Sequence, residues 1–355
     1  MTALASPVAP KKSSVRALRI VGLSVVALVV YLVVLWFGLY LVSGIPLEAG
    51  LPVALQQTVN ALSIGAIYAL IALGYTMVYG IIELINFAHG DIFMLGAFLS
   101  VVFIGGVMGQ SGPVDNVPLL IFLLLGALVF TMPVIGLINV GIERAVYRPL
   151  RNAPRLAPLI TAIGVSFILQ NLALQIAGSG DRAAPQVFPL GWQIPFGGAS
   201  ISVLSIFIFV LALTLMLLLQ AFVNRSRLGR AMRATAQDRD AARLMGIRVE
   251  SVITASFALS GFLAGVAGIL VAPLFTISST MGTLFGIKAF AVAILGGIGN
   301  AWGVVFAGLI YGVAEALIIA LLGSTYSQIV TFALVILALA LRPHGLFGRS
   351  EVKKV

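Results

Sequence analysis

Long apolar stretches, most of them near or above twenty residues, dominate this chain and limit the folds open to it. They lie at roughly 55–80, 92–109, 118–140, 156–177, 200–223, 251–272, 286–299, 303–321 and 328–341. About 20 helical residues cross a bilayer core, where only helices and closed barrels satisfy their own backbone groups. With 61% hydrophobic residues and a mean hydropathy of +1.14, the sequence predicts an all-α, polytopic transmembrane bundle of about 8–10 spans. The stretch at 286–299 is short and glycine-rich, so we expect a half-helix or re-entrant piece there.

The N-terminal region has two parts. Residues 1–17 combine Ala, Pro, Ser and Lys without apolar periodicity, which predicts a disordered segment. Residues 18–43 follow as a basic flank and a long apolar run, and we interpret them as an extra transmembrane helix. A cleaved signal peptide is the alternative, although its apolar region spans only about 7–15 residues.

The distribution of charge predicts the orientation. Alternation from a cytoplasmic N-terminus puts 1–19, 81–91, 141–155, 224–250, 300–302 and 342–355 on the inside. Of the 21 Lys and Arg residues, only Arg182 and Lys288 then lie elsewhere. This agrees with the positive-inside rule. Both termini are therefore predicted to be cytoplasmic, with residues 343–355 as a C-terminal tail.

An arginine-rich loop at 224–250 separates two of the apolar stretches. It carries Arg225, Arg227, Arg230, Arg233, Arg239, Arg243 and Arg248. The alanines between Gly229 and Met245 favour one short helix, with Leu244 and Met245 as an apolar tip and Gly246 as its stop. Such a helix suits either contact with anionic lipid headgroups or docking to a partner protein, and the residues alone leave both open.

A second polar group interrupts the apolar pattern at residues 74–98, GYTMVYGIIELINFAHGDIFMLGAF. Candidate linings of a translocation path are Tyr75, Tyr79, Glu83, Asn86, His89 and Asp91. Ionisable groups near a membrane usually face a cavity or a partner. The alternative is a wet interfacial turn, as a cytoplasmic 81–91 loop implies, and a proton relay of Glu83, His89 and Asp91 is a further option.

Two more charges, Lys288 and Glu315, fall inside late spans. They are candidates for the same path, and mutual pairing or snorkelling is the favoured account.

Several functions are disfavoured by what is missing. Cysteine is absent and there are two histidines, so no catalytic or metal site is predicted. No G-x-x-x-x-G-K-[ST] phosphate loop occurs, so we expect no cofactor on this chain and no ATP bound by that route. The basic residues lie in short loops as topology signals, which argues against a nucleic-acid partner.

Four segments together resemble the LivH-type permeases of branched-chain amino acid ABC importers. They are residues 74–98, ERAVYRPLR at 143–151, LGRAMRATAQDRDAARLMGI at 228–247, and KAFAVAILGGIGNAWGVVFAGLIYGVAEAL at 288–317. The C-terminal RPHGLFGRSEVKKV is also similar to that family. The resemblance implies a permease domain over 53–342, whereas the first 50 residues depart from the typical family member.

The resemblance also implies partners: a LivM-type permease forming a heterodimer, two cytoplasmic ATPases using ATP and Mg, and a periplasmic substrate-binding protein. The chain would then be a multi-pass inner-membrane transport subunit in contact with lipids, and not an enzyme. ATPase coupling is expected from Arg230, Arg233, Ala234, Asp238, Arg239, Ala242, Arg243, Leu244, Met245 and Gly246. Alternatives are a same-family permease for urea, amides or aromatic and other organic acids, and a secondary transporter that works alone.

Overall fold

The computed structural model describes residues 31–341 and 345–347, except for 32, 39, 42–45, 152, 155, 179, 190 and 197. The predicted disordered segment 1–17 lies outside the described residues, as does most of the 343–355 tail. Of the predicted extra helix at 18–43, only part of 31–41 is described, and that part is helical.

The described chain is almost entirely helical. Its helices are α1 (Leu47–Ile82), α2 (His89–Val101), α3 (Val117–Ile142), α4 (Leu156–Ala177), α5 (Val203–Arg225), α6 (Arg227–Gln237), α7 (Arg239–Leu244), α8 (Val249–Val271), α9 (Met281–Gly296), α10 (Ala301–Leu322) and α11 (Ser324–Leu341). π-helical turns at Val102–Val107 and Glu143–Tyr147 extend α2 and α3. Within the described residues, seven helices are long and apolar enough to span a membrane. The polytopic helical prediction is therefore confirmed.

Two helices form the centre of the bundle. In α1, 83% of the most apolar window is buried inside the protein, compared with 17% in α5. The helix α8 is similarly enclosed, while α3, α4 and α5 expose apolar faces such as Val129, Ile176 and Leu218. In a membrane protein these outer faces suit lipid or a partner helix, because neither requires a polar surface.

Small residues let the central helices approach closely. A Cβ added to Gly268 of α8 would lie 2.7 Å from the Phe93 carbonyl oxygen of α2. A Cβ on Gly308 of α10 would lie 2.6 Å from the Ala69 Cβ of α1. These contacts show that glycines in the spans serve helix packing.

One element was not expected from the sequence. Strands β1 (Gln193–Phe196) and β2 (Ala199–Ser202) pair antiparallel as a hairpin just before α5. β1 is fully exposed along its length. The hairpin begins in the loop at 178–199, which alternation predicts to lie outside. Its second strand extends to Ser202, within the stretch that the sequence predicts to be apolar from residue 200 onward.

Candidate functional site

After the end of α1 the chain forms a short non-helical break and runs back into the bundle. After Ile82, residues 83–88 are non-helical, and α2 begins at His89. His89 Nε2 lies 3.2 Å from the Ile71 carbonyl oxygen, eleven residues before the end of α1. At 1.5 Å per residue, the His89 ring therefore lies about 16 Å along α1 from its end.

Counting residues along α8, which ends at the opposite face of the bundle, gives the same depth for His89. His89 Nδ1 lies 3.2 Å from Ser260 Oγ of α8, and Ser260 precedes the end of α8 at Val271 by eleven residues. Arg239, shortly before the start of α8, bonds to Ile81 at the end of α1, so α1 and α8 end at opposite faces of the bundle. The His89 ring therefore lies about 16 Å from each of these helix ends. This corresponds to the middle of a hydrocarbon core about 30 Å thick.

A second short helix begins at the same level. The helix α9 has 16 residues, which agrees with the predicted half-helix, although it starts at Met281 rather than 286. A Cβ on Gly282 would lie 2.8 Å from the Asp91 Cα, and one on Gly90 would lie 2.8 Å from the Gly286 Cα. The N-terminal turns of α2 and α9 therefore meet, and both direct partial positive charge at this point.

Asp91 is held at this meeting point by two polar side chains of α4. Its side chain is 1% exposed and accepts hydrogen bonds from Ser166 Oγ and from Gln170 Nε2, the latter at 3.1 Å. Gln170 Nε2 also lies 2.9 Å from Thr283 Oγ1 of α9. Asp91 thus links α2 to α4, and Gln170 extends the connection to α9. The partial positive charge at the N-termini of both half-helices stabilises a carboxylate at this point.

The other residues predicted to line a translocation path lie near His89 and the break, and they differ in burial. The Tyr75 ring packs edge-on against His89 with ring centroids 4.7 Å apart. Asn86 is 2% exposed and accepts a 2.8 Å hydrogen bond from Tyr147 Oη. Tyr79 is half-buried and lines a small space with Tyr75 and Asn86.

The expectation that residues 81–91 form a wet loop is wrong for most of the segment. Asn86, His89 and Asp91 are buried, because the break dips into the protein instead of remaining outside it. Glu83 alone of the four polar residues is exposed, at the mouth of a cavity of about 350 Å³. Among the described residues no hydrogen bond joins Glu83, His89 and Asp91, so the three do not form a connected relay in this structure.

Lys288 of α9 and Glu315 of α10 form a buried ion pair, which confirms the predicted pairing. Lys288 Nζ also lies 3.3 Å from Tyr68 Oη of α1. The two side chains are 9% and 7% exposed. The pair joins three helices at a site where either charge alone would be costly.

The arginine-rich segment forms two helices rather than the single helix expected between Gly229 and Met245. α6 ends at Gln237, and Asp238 adopts an extended conformation between the helices. The Asp238 carboxylate accepts hydrogen bonds of 2.9 Å from the backbone N–H groups of Asp240 and Ala241. It is therefore the N-cap of α7, and this capping is the physical reason for the break.

The tip of this segment points away from the protein. Leu244 is 89% exposed and Met245 is 82% exposed, and Gly246 then reverses the chain with a φ of 80°. Arg230, Arg233, Asp238 and Arg243 are also exposed. Two adjacent, almost fully exposed apolar side chains on a basic surface are available for burial by another molecule.

The remaining predicted coupling residues face the bundle. Ala242 is 3% exposed and Ala234 is half-buried. The Arg239 guanidinium donates from Nε and Nη2 to the Ile81 carbonyl oxygen, at 3.0 and 2.7 Å. Arg239 therefore fastens the segment to the last turn of α1 instead of extending its outer surface.

Comparison with known proteins agrees with this architecture. Residues 57–339 match the family described as "Branched-chain amino acid transport system / permease component". The permease protein BraD of Pseudomonas aeruginosa is 43% identical over 305 residues, which are 85% of this chain and 98% of BraD. The permease protein LivH of Escherichia coli K12 is 42% identical over 306 residues, covering 85% of this chain and 97% of LivH. Both relatives are named as parts of high-affinity branched-chain amino acid transport systems.

A more distant relative is LivM of Escherichia coli K12, a permease protein of the same kind of system. It is 30% identical over 151 residues, covering 41% of this chain and 35% of LivM. No solved structure matches the chain. The match over 57–339 and the nearly full-length coverage of BraD and LivH show that this chain belongs to the permease family of branched-chain amino acid transport systems.

Proposed function

We propose that this chain is the membrane-spanning subunit of an ATP-driven importer of branched-chain amino acids. The observation that carries the proposal is the match to BraD and LivH over 97–98% of their lengths. The proposed assembly pairs this chain with a LivM-type permease, two ATPases and a substrate-binding protein. ATP and Mg would act on the ATPases, and this chain would form no covalent intermediate.

The arginine-rich end of the bundle is proposed to face the cytoplasm. Arg151 and Arg239 lie at the same end as the tip at Leu244 and Met245, in agreement with the positive-inside rule. An ATPase that covers this tip would remove two large apolar side chains from water. That gain supports docking over lipid contact, because the tip lies beyond the helix ends rather than along a lipid-facing stripe.

The meeting point of α2 and α9 is proposed to lie on the translocation path. A zwitterionic amino acid needs a partner for its ammonium group and partners for its carboxylate. Asp91 provides a buried carboxylate, and the first turns of the two half-helices provide backbone N–H groups. Since Asp91 is 1% exposed, the arrangement corresponds to a closed path, and alternating access would require α2 and α9 to separate.

Purification of the full-length chain from its host membrane in mild detergent tests the proposed assembly. We expect two ATPase subunits and a LivM-type permease to copurify, and we expect the ATPase activity of the complex to rise when binding protein loaded with leucine is added. A chain that purifies alone, or a complex stimulated by urea or an aromatic acid and not by leucine, would contradict the proposal.

A further inference from the structure

The segment Glu143–Arg151, ERAVYRPLR, is neither part of the exposed tip nor of the polar group around Asp91. It begins as a π-helical turn that continues α3, with Glu143 0% and Tyr147 1% exposed. π-helical turns within longer helices occur often at functional sites. We call Glu143–Arg151 the linker motif, and its contacts run in two directions.

Toward the centre of the bundle, the linker motif holds the break between α1 and α2. Tyr147 Oη donates to Asn86 Oδ1 at 2.8 Å, and its ring packs on Phe257 of α8 with centroids 5.3 Å apart. The Asn86 carbonyl oxygen accepts the His89 backbone N–H at 3.1 Å. Tyr147 therefore fixes Asn86, whose carbonyl oxygen closes the turn that leads into α2.

Toward the arginine-rich end, the linker motif connects to the exposed tip through ion pairs. Arg151 pairs with both Glu143 and Glu250, and Thr254 Oγ1 donates to Glu143 Oε2 at 2.9 Å. Glu250 also lies 4.0 Å from the Nη2 atom of Arg243, the residue just before Leu244. A continuous series of charged contacts thus runs from the tip to the linker motif.

The other side of the break is held by the same arginine-rich segment. Arg239 donates two hydrogen bonds to the Ile81 carbonyl oxygen, one of the terminal carbonyls of α1 that lacks a helical partner. Between the two attachments lies Glu83, whose φ of 54° is positive, unlike that of any other non-glycine residue in the described chain. A strained backbone between two anchored points is typical of a hinge.

We propose that the linker motif transmits movement of the docked tip to the break at 83–88, and so to the first turn of α2. Tyr147 acts as the positioning residue, because its hydroxyl joins the motif to Asn86. The inference rests on the proposed function. An ATPase that displaced Arg243 would also shift the ion-paired residues Glu250 and Arg151. The linker motif would then move Asn86 through the Tyr147 hydrogen bond, while Arg239 keeps its hydrogen bonds to Ile81.

The test is the number of amino acids imported per ATP hydrolysed by the whole complex in proteoliposomes. Tyr147→Phe removes only the hydroxyl that reaches Asn86, and we expect it to lower this ratio about 2- to 30-fold. The matched control is Tyr311→Phe, since the Tyr311 hydroxyl is buried without a hydrogen-bond partner among the described residues. We expect the control to retain the wild-type ratio, and both variants to give a wild-type yield of folded complex that stays folded at the assay temperature.

A double-variant comparison separates transmission from simple packing. Asn86→Leu removes the acceptor, so Tyr147→Phe combined with Asn86→Leu should lose little more than Asn86→Leu alone. Fully additive losses, an unchanged ratio in Tyr147→Phe, or a loss explained by unfolding at the assay temperature would each overturn the inference. A wild-type complex that hydrolyses ATP without importing any amino acid would overturn the proposed function as well.

Discussion

Replacement of Leu244 by serine tests whether the exposed tip docks an ATPase. Leu244 is 89% exposed, so nearly its whole side chain is available for burial by a partner. Burial of such a side chain contributes about 1.5–2.5 kcal/mol, and its loss corresponds to a Kd roughly 10- to 60-fold higher. Since the side chain makes little contact within the protein, Leu244→Ser should leave the stability of the permease unchanged.

The assay is a titration of the ATPase subunits onto the purified permease pair, with fluorescence anisotropy of a labelled ATPase as the signal. The matched control is Ile194→Ser on the exposed hairpin, where Ile194 is 48% exposed and lies far from the arginine-rich segment in the predicted topology. We expect the control to bind as the wild type does. Equal affinity of Leu244→Ser and wild type, or an equal loss in both variants, would refute the reasoning.

Three further predictions concern the interior. Lys288→Met leaves Glu315 buried without its partner and should destabilise the protein by about 3–5 kcal/mol, whereas the double change Lys288→Met with Glu315→Leu should recover most of the loss in thermal unfolding of the purified chain. Gly268→Val places side-chain atoms against α2, where a Cβ alone would be 2.7 Å from the Phe93 carbonyl oxygen. We expect size-exclusion chromatography to show little folded protein for this variant. The control Gly141→Ala, with open space around the added Cβ, should fold normally. Asp91→Asn retains the shape but not the charge, and it should raise the KM for amino acid uptake about tenfold, with an unchanged KM indicating that Asp91 does not contact the substrate.

The sequence predicts the helices well because long apolar runs allow few other structures. The helix α9 was expected to be short, and pairing or snorkelling was the favoured account of Lys288 and Glu315, of which the structure shows pairing. Both predictions depend on length and charge, which a sequence displays directly. The side of the membrane to which each end belongs stays a prediction from the arginine distribution.

The sequence left the buried break open: the polar residues suited the lining of a path, whereas alternation assigns every gap between apolar runs to one side of the membrane. One signal was present in the sequence: residues 81–91 contain no Lys or Arg, unlike the inside segments 141–155 and 224–250. A polar segment without positive charge is a poor topology marker. Gly90 within this segment, and Gly80 just before it, also suit close approach to another helix, which Gly90 makes with α9.

Two other misses arise from short-range chemistry. Asp238 was counted as a helical charge, although an aspartate within a polar stretch is a strong N-cap and divides the segment into α6 and α7. The hairpin was overlooked because its strands have four residues each and β1 contains Pro195. Two adjacent glycines between short β-prone runs at 194–202 were the available signal.

ATP-dependent uptake is the most direct test of the central claim. That claim is that this chain forms the translocation path of an ATP-driven importer and changes conformation during transport. Proteoliposomes would contain this chain, its copurified permease partner and ATPases, with loaded binding protein outside and ATP inside. We predict accumulation of labelled leucine that requires both ATP and the binding protein and is reduced in Leu244→Ser. Leucine uptake by this chain alone, driven by an ion or proton gradient and indifferent to ATP, would contradict the account.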